Sequence, residues 1–260
     1  TGAARHNLKL IQAGQIEIGM STPDAAWEAW HGKGFAEGED PYNKVRGMLP
    51  GWGGVFQMTT LAKSNINNIK DFDGKPFSCG SKGSSSEAVS RRIFEVFGIK
   101  PKLMNLPGAD SVRAVRDGLV AGCTNGWPNP AVIQLDITHE VKIVTLDEEQ
   151  SKKFAEAYPQ YIWGIVIPKG TYKLHKEDLT NVCLYNSFYC SKDLPEDLVY
   201  EILKVYFQNE KIVEEMWPRM VNGSKIDNIK YLSIPLHPGA VRYAREHGIE
   251  VPEDLIPPEM

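Results

Sequence analysis

The strongest constraint on the fold is that short apolar runs typical of strands alternate with amphipathic helical segments along the chain. Residues 76–79 predict a strand, and residues 85–97 predict a helix on which Val89, Ile93 and Phe97 share one apolar face. Short links between unlike elements favour parallel strands with helical crossovers. The sequence therefore predicts an α/β fold with mostly parallel sheets.

The spacing of apolar residues, typical of strands or of amphipathic helices, predicts further elements along the chain. Further helices are predicted at residues 3–13, 23–31, 111–120, 131–137, 147–157 and 195–217, and after the HPGA segment. Further strands are predicted at residues 16–20, 45–49, 55–62, 102–106, 122–124, 141–144, 163–167 and 182–190. The PGWGG segment separates the second and third of these strands.

The central part of the chain is predicted to fold by itself, whereas the segments before and after it are incomplete alone. We therefore predict two lobes. Lobe 1 comprises residues 1–73 and 190–260, and lobe 2 comprises residues 74–189. The chain would cross between the lobes twice, at a hinge.

Composition narrows the class of protein. Hydrophobic residues make up 42% of the 260 residues and the formal net charge is -4, which is ordinary for a soluble globular protein and gives no basic footprint for nucleic acid. The longest strongly apolar stretch, residues 161–167, is too short to span a bilayer, so we do not expect a membrane-embedded chain. Thr1 is not an initiator, which indicates that the chain begins after processing or truncation.

The cysteines and histidines predict no metal site, and we expect no cofactor. Cys79, Cys123, Cys183 and Cys190 lack metal-ligand spacing. On one straight strand the last two would lie roughly 23 Å apart at about 3.3 Å per residue, too far for a disulfide. Small buried thiols are the simpler interpretation. His237 in IPLHPGA is interpreted as structural.

A turn rich in glycine and serine, CGSKGSSSE, joins the strand at 76–79 to the helix at 85–97. The first N–H groups of a helix have no intrahelical partner, and the helix dipole makes this end partly positive. Gly80 and Gly83 would let the backbone approach a ligand closely. Hydroxyl donors would come from Ser81, Ser84, Ser85 and Ser86. The turn therefore predicts a seat for a carboxylate or a phosphate without any arginine.

An ordinary helix cap explains the same residues, because serines satisfy backbone amides at helix starts. Three consecutive serines nevertheless exceed what capping needs. The turn matches neither GxxxxGK[ST] nor GxGxxG, and it lacks the GxSxG pattern of a nucleophile elbow. No nucleophile–base pair follows from the spacing of other residues, which weighs against an enzyme.

Asn125 and Trp127 follow the strand predicted at 122–124. In a 2-1-3 strand order, the end of this strand would lie beside the serine turn. Trp127, between a glycine and a proline, would form a pocket wall, with Asn125 and Asn129 as hydrogen-bond donors. A core or hinge tryptophan is the alternative.

Three further candidates for ligand contact, Ser21, Thr22 and Trp52, precede the serine turn in the sequence. Trp52 in PGWGG is predicted either as a pocket roof or as part of a surface loop. Ser21 and Thr22 end a strand at the start of a helix, the geometry also predicted for the serine turn. Simple helix capping is the alternative role for Ser21 and Thr22.

Segments along nearly the whole chain resemble the TAXI-type periplasmic solute-binding proteins of tripartite ATP-independent periplasmic (TRAP) transporters. TGAARHNLKLIQAGQIEIGM resembles the family's TGGS helix and strand, and INNIKDFDGKPFSCGSKGSSSEAVSRRIFEVFGI resembles the block that holds its GSGTE turn. The later segments SVRAVRDGLVAGCTNG, IPKGTY, SKDLPEDLVYEILKVYFQN and IPLHPGAVRYAREHGI resemble family segments in the same order. That order makes the resemblance specific.

The resemblance implies a type II periplasmic-binding fold, in which two α/β lobes close around a ligand in their cleft. It implies a binding protein, not an enzyme, that captures a small organic acid such as an amino acid or dicarboxylate and delivers it to TRAP membrane subunits. It also implies a periplasmic monomer, exported by a signal peptide that this sequence does not hold. The family's GSGT turn corresponds to Gly83, Ser84, Ser85 and Ser86.

Two departures from the family limit what carries over. Ser85 replaces a glycine and Ser86 replaces a threonine, so the family's ligands cannot be assigned to this turn. The strand and helix that begin the family's mature chain are missing, which indicates a fragment, a piece on another chain or a late start of numbering. An enzyme on the same two-lobed fold and a sensor module for a receptor partner are the alternative functions.

Overall fold

The computed structural model describes residues 4–163, 165–216 and 225–260. The helices are α1 (Ala4–Gln12), α2 (Pro23–His31), α3 (Ser85–Val96), α4 (Gly108–Arg116), α5 (Pro130–Thr138), α6 (Glu148–Ala157), α7 (Glu196–Gln208), α8 (Glu210–Met216) and α9 (Pro238–Glu246). The strands are β1 (Ile18–Ser21), β2 (Val45–Leu61), β3 (Pro76–Ser78), β4 (Lys102–Met104), β5 (Gly122–Trp127), β6 (Val141–Val144), β7 (Val166–Ile167), β8 (Leu179–Thr180) and β9 (Cys183–Ser191). None of the helices formed by these residues has the length and apolar content needed to cross a bilayer.

Most predicted elements are present within a few residues of their predicted bounds, and α2 and β6 match them. Three predictions were wrong in detail. The helix predicted at 195–217 is divided into α7 and α8, because the Asn209 side chain donates to the Val205 carbonyl at the end of α7; its last residue, Trp217, lies outside the described residues. The helix predicted at 111–120 is α4, which ends before Gly118, a residue with φ +72°. Strand β8 was missed.

The PGWGG segment does not interrupt β2, contrary to the prediction of two strands. Gly51 lies where β2 runs beside β9, and a Cβ atom there would be 2.0 Å from the carbonyl oxygen of Asn186. Glycine is therefore required for close approach of two backbones, rather than for a turn. Trp52 accordingly belongs to a strand, not to a surface loop.

The chain divides into two compact units, Thr1–Gly53 with Leu184–Met260, and Gly54–Cys183. The sequence predicted boundaries after residues 73 and 189. The first boundary in the structure lies after Gly53, inside β2. The sequence had predicted two strands there and had assigned both of them to lobe 1.

The first unit packs helices against β1, β9 and the first half of β2. Strand β9 lies between β1 and β2, and it pairs with β1 in antiparallel register from Ile18↔Cys190 to Ser21↔Ser187. Buried alanines of α2 and α9 let these helices pack closely in the core. Leu8 and Ile11 of α1 and Val199 and Leu203 of α7 complete it.

The second unit is built on a mixed sheet. Strand β3 lies between β4 and β5 and pairs with both in parallel, whereas the second half of β2 pairs with β5 and β6 in antiparallel. The prediction of mostly parallel sheets was therefore wrong: four of the described pairings are antiparallel and two are parallel. The link from β2 to β3 contains only 3₁₀ turns, so it provides no helical crossover.

The two faces of this sheet are covered by different layers. One face holds Val55, Cys123 and Ile143, and it packs against buried side chains of α4 and α5. The other face carries α3, whose Ser90 hydroxyl donates to the Thr124 hydroxyl oxygen at 2.8 Å. On that side Phe72, Phe77 and Phe94 form edge-to-face ring contacts.

The close approach of β2 and β9 makes Gly51→Ala destabilising. Its Cβ would meet a backbone carbonyl, which cannot move independently, and we expect a loss of about 3 kcal/mol of unfolding free energy. Gly126→Ala is the matched control, because no atom lies within 4 Å of its added Cβ, and a change within about 0.5 kcal/mol is expected. Urea unfolding measures both. Equal stability of the two variants would contradict the close approach.

A buried guanidinium in the first unit depends on a carboxylate near the end of the chain. Arg46 is 2% exposed and donates to the two carboxylate oxygens of Glu259 at 2.8 and 2.7 Å. Burial raises the pKa of Glu259, but the hydrogen bonds from Arg46 outweigh it, so the pKa lies below its usual value. A carboxyl group of this kind adds stability above its unfolded pKa and loses it as the pH falls through its folded pKa.

Glu259→Gln should therefore lower the unfolding free energy at pH 7 by about 2 kcal/mol, the range for a hydrogen bond to a charged group. The difference from the wild type should shrink as the pH falls below the usual pKa of a glutamate and on through the lower pKa of Glu259 in the folded protein. Urea unfolding between pH 3 and pH 7 measures it. Glu250→Gln, at an exposed position, is the control. A pH-independent difference would show that the ion pair is not the cause.

Candidate functional site

The serine turn connects the end of β3 to the start of α3 in the second unit. Ser84 is the N-cap of α3, and its Oγ accepts from the Glu87 backbone N–H at 3.2 Å. Gly80 and Gly83 have φ values of 91° and 77°, which favour glycine. A Cβ atom on Gly80 would also lie 2.9 Å from the Ser86 Cβ. The glycines therefore shape the turn, and Ser84 has the capping role that the sequence left open.

Glu87 was not predicted, and its side chain folds back onto this turn. The carboxylate accepts from the Gly83 N–H at 2.6 Å and from Arg91 Nε and Nη2 at 3.1 and 2.9 Å. The S-x-x-E spacing of Ser84 and Glu87 is the signal of a capping box that could have identified it. An internal carboxylate therefore already occupies one amide of the predicted anion seat.

The environment of Glu87 keeps it charged. Burial raises the pKa of Glu87, but hydrogen bonds from Gly83, Arg91 and Asn105 lower it further, so the pKa lies below its usual value. Asn105, also unpredicted, donates to the Gly80 carbonyl at 3.0 Å and so holds the other end of the turn. These contacts give the turn a fixed shape, with a negative charge compensated by Arg91.

The start of α3 still offers donors to a ligand. The backbone N–H groups of Ser85 and Ser86 have no acceptor among the described residues, as expected for the first turn of a helix. The hydroxyls of Ser85 and Ser86 are half-buried and that of Ser81 is exposed. Three predicted serines thus keep free donors, whereas Ser84 and the amide of Gly83 are engaged in the turn itself.

The strand order predicted beside this turn is confirmed, because β3 lies between β4 and β5. The side chains of Asn125 and Trp127 nevertheless project from the face opposite α3. Side chains alternate along a strand, and Thr124 is the residue that contacts α3. Asn125 is buried and donates to Cys123 Sγ at 3.1 Å on the other face. The serines and these two residues therefore lie on different sides of one sheet.

Among the other predicted candidates, Asn129 and Ser21 have local structural partners. Asn129 is the N-cap of α5 and accepts from the Ala131 and Val132 N–H groups. In the first unit, the buried Ser21 hydroxyl donates to the Ala4 carbonyl at 3.1 Å. Thr22 is buried at the N-cap position of α2 but makes no side-chain capping bond. Trp52 is half-buried in β2, also in the first unit.

The histidine and cysteines play structural roles, as the sequence indicated. His237 is buried at the N-cap of α9, where Nδ1 accepts from the Gly239 N–H at 3.2 Å. The four cysteines are buried free thiols. Burial raises the pKa of Cys123, Cys183 and Cys190 to about 12, so these thiols are unreactive near neutral pH. Within the described ranges, no group of three or more His, Cys, Asp or Glu is placed to hold a metal ion.

A groove of about 450 Å³ in the second unit contains none of the predicted site residues. It lies where β3 and β5 begin, between the residues around Thr60 and those around Arg116. The serine turn follows the other end of β3. Ligands of open α/β sheets bind at the carboxyl ends of strands, so the serine turn is the better candidate.

Comparison with known proteins places the chain in a family. A family model described as "NMT1-like family" matches residues 1–248. The structure is similar to XAC2383 from Xanthomonas citri bound to chloride ion, with a TM-score of 0.52 and 10% identity over 94% of this chain and 80% of that one. This similarity supports the α/β fold that the sequence predicted.

Two further similarities to solved structures are weaker. One is to a Streptococcus mutans structure described for glutathione import through GshT and the cystine importer TcyBC, with 14% identity, coverage of 83% and 74%, and a TM-score of 0.49. The other is to the arginine-, lysine-, histidine-binding protein ArtJ of Geobacillus stearothermophilus, with 13% identity, coverage of 86% and 78%, and a TM-score of 0.48. The family match covers most of the sequence, and the chain belongs to the NMT1-like family.

Proposed function

We propose that this chain is a periplasmic solute-binding protein of the TAXI type, which binds a small organic acid and delivers it to TRAP membrane subunits. The ordered sequence motifs and the NMT1-like family match support the proposal. The protein would act as a monomer, without cofactor and without catalysis.

The observation that carries the proposal is the set of free donors at the start of α3. The Ser85 and Ser86 amides lack acceptors among the described residues, and their hydroxyls are half-buried beside them. Amide and hydroxyl donors at a helix N-terminus stabilise a carboxylate without a cationic side chain. The seat is fixed before binding by Ser84, Glu87 and Asn105, so little conformational entropy is lost when a ligand binds.

The residues assigned to ligand binding follow from this arrangement. Ser85 and Ser86 would each donate an amide and a hydroxyl to the carboxylate, and Ser81 would donate a hydroxyl from the turn. Gly83 would shape the turn, and Ser84 would hold the helix start. The negative charge of Glu87 would disfavour a doubly charged ligand more than a singly charged one. The seat therefore suits one carboxylate rather than a phosphate dianion.

The remaining predicted residues stay predictions from the sequence. Asn125 and Trp127 project from the face of the second unit's sheet opposite the serine turn. Ser21, Thr22 and Trp52 belong to the first unit.

Thermal denaturation in the presence of organic acids tests the proposal. The panel comprises L-glutamate, 2-oxoglutarate, succinate, an aromatic acid and a sialic-type acid, with inorganic phosphate as the dianion control. A ligand at about 100 times its Kd should stabilise the protein by roughly 2.7 kcal/mol, which raises the melting temperature. We expect a shift with at least one acid, none with phosphate and no product after incubation. No shift with any acid, or turnover of one, would contradict the proposal.

The double variant Ser85→Ala/Ser86→Ala should weaken binding of the acid that gives the shift. Each hydroxyl bonded to a charged group contributes about 1.5–3 kcal/mol, so the loss of both should lower the affinity at least roughly a hundredfold in calorimetric titration. The control is Ser84→Ala in the same turn, which removes an N-cap and should lower the unfolding free energy by about 1 kcal/mol. Unchanged affinity of the double variant would exclude the serine hydroxyls as ligands.

A further inference from the structure

The groove of about 450 Å³ in the second unit takes no part in the proposed function. It lies where β3 and β5 begin, whereas the serine turn follows the other end of β3. Its floor is apolar, because Leu61, Val115 and Val120 line it and are buried. Leu119, which also lines it, is 66% exposed although its side chain is large and apolar. Exposed apolar surface with polar residues around it is typical of an interaction site.

The charged side chains that line this groove are mostly basic. Lys63, Lys75 and Arg116 are exposed, and Asp117 is the single acidic residue among the lining residues. Three cations and one carboxylate give the lining a formal charge of +2, whereas the whole chain has a formal net charge of -4. The groove is therefore a local basic region on an acidic protein, and it attracts negatively charged partners.

The two lysines of the groove are not neutralised by the protein's own carboxylates. Neither Lys63 nor Lys75 forms an ion pair with a carboxylate of the described residues. The Asp71 carboxylate, which interacts with the charge of Lys75 at longer range, accepts instead from the N–H groups of Asn67 and Asn68 at 2.7 and 3.0 Å. Two ammonium groups are therefore available to the carboxylates of a partner.

A second groove, of about 340 Å³, adjoins the first. It lies between α4 and α5, and Arg116 lines both grooves. Arg113 forms an ion pair with Asp110, and Arg116 Nε donates to Asp117 at 2.8 Å, so these guanidinium groups are already paired. Small molecules bind in cavities that bury most of their surface, whereas every charged side chain that lines these two grooves is exposed. An elongated, open surface of this kind fits an extended segment of a protein better than a small molecule.

We propose that these two grooves dock an extended acidic segment of a partner protein. Carboxylates of the segment would pair with Lys63 and Lys75, and an apolar side chain between them would pack against Leu119 and the apolar floor. The inference is independent of the solute, because the serine turn lies at the other end of β3. Nucleic acid fits less well, because its binding neutralises several phosphates and these grooves offer two unpaired cations.

Fluorescence anisotropy with a labelled peptide tests the inference. The probe is the nonapeptide EEEELEEEE, with fluorescein at its N-terminus and an amide at its C-terminus, and KKKKLKKKK is its basic counterpart. We expect the wild type to bind the acidic probe saturably and the basic probe not at all. Lys63→Glu/Lys75→Glu should lower the affinity at least roughly tenfold, because each exposed ion pair contributes up to about fivefold and each reversed charge adds repulsion.

The matched control is Lys153→Glu/Lys169→Glu, which makes the same change of charge at two exposed positions of the second unit that line neither groove. It should retain the affinity within about twofold, because salt screens distant charges. Leu119→Ser removes the apolar contact without a change of charge and should lower the affinity about fivefold or more. Ser85→Ala/Ser86→Ala should bind the acidic probe as the wild type does.

Three results would overturn the inference. Equal weakening by the two charge-reversal variants would show that the probe is held by the overall charge rather than by the groove. Absence of wild-type binding to the acidic probe would show that the groove does not dock such a segment. Equally tight binding of an oligothymidylate of the same charge would indicate a general site for polyanions. All three would leave the solute-binding function standing, because thermal denaturation with organic acids tests that function separately.

Discussion

Strand β2 is the constraint on which the rest of the structure depends, since its two halves belong to different compact units. In the first half, Gly51 permits a backbone approach to β9 that no side chain would allow. In the second half, strict alternation assigns Gln57 to one face of the sheet and Met58 to the other. A register shift by one residue would exchange the two faces, and would bury the wrong residues under α3 and α5.

The serine turn shows how one loop satisfies its own backbone and still retains donors. Ser84, Glu87 and Asn105 satisfy the turn, and this leaves the Ser85 and Ser86 amides unpaired. The internal carboxylate of Glu87 also limits the negative charge that the seat can accept. The same contacts that stabilise the start of α3 therefore limit the charge of the anion that it would bind.

Local patterns were sufficient to predict most elements of the fold. The apolar stripe on α3, the proline at the start of α2 and the glycines that follow helices depend on a few neighbouring residues, so they are readable from the sequence. PGWGG was misread because Gly51 serves a contact with β9, far away in sequence. Strand direction was also misjudged, since the pairing of β2 with β5 and β6 depends on the path of the whole chain.

The candidate site was predictable in part, because some of its residues belong to local patterns. The serine turn and its helix form a local motif, and Trp127 and Asn125 follow directly from the end of a strand. Asn105 carries no local signal, because its hydrogen bond to the Gly80 carbonyl forms only once β4 lies beside β3. That Asn125 and Trp127 face away from α3 follows from the parity of the strand, which the sequence analysis had not assigned.

Amide chemical shifts of ¹⁵N-labelled protein during titration with the stabilising acid test the central claim most directly. If the acid binds at the serine turn, the N–H resonances of Ser85 and Ser86 should move strongly downfield, because they gain a charged acceptor. Amides in the groove around Arg116 should then change little. Saturable binding with no change at Ser85 and Ser86 would contradict the account, because the solute would then be bound elsewhere.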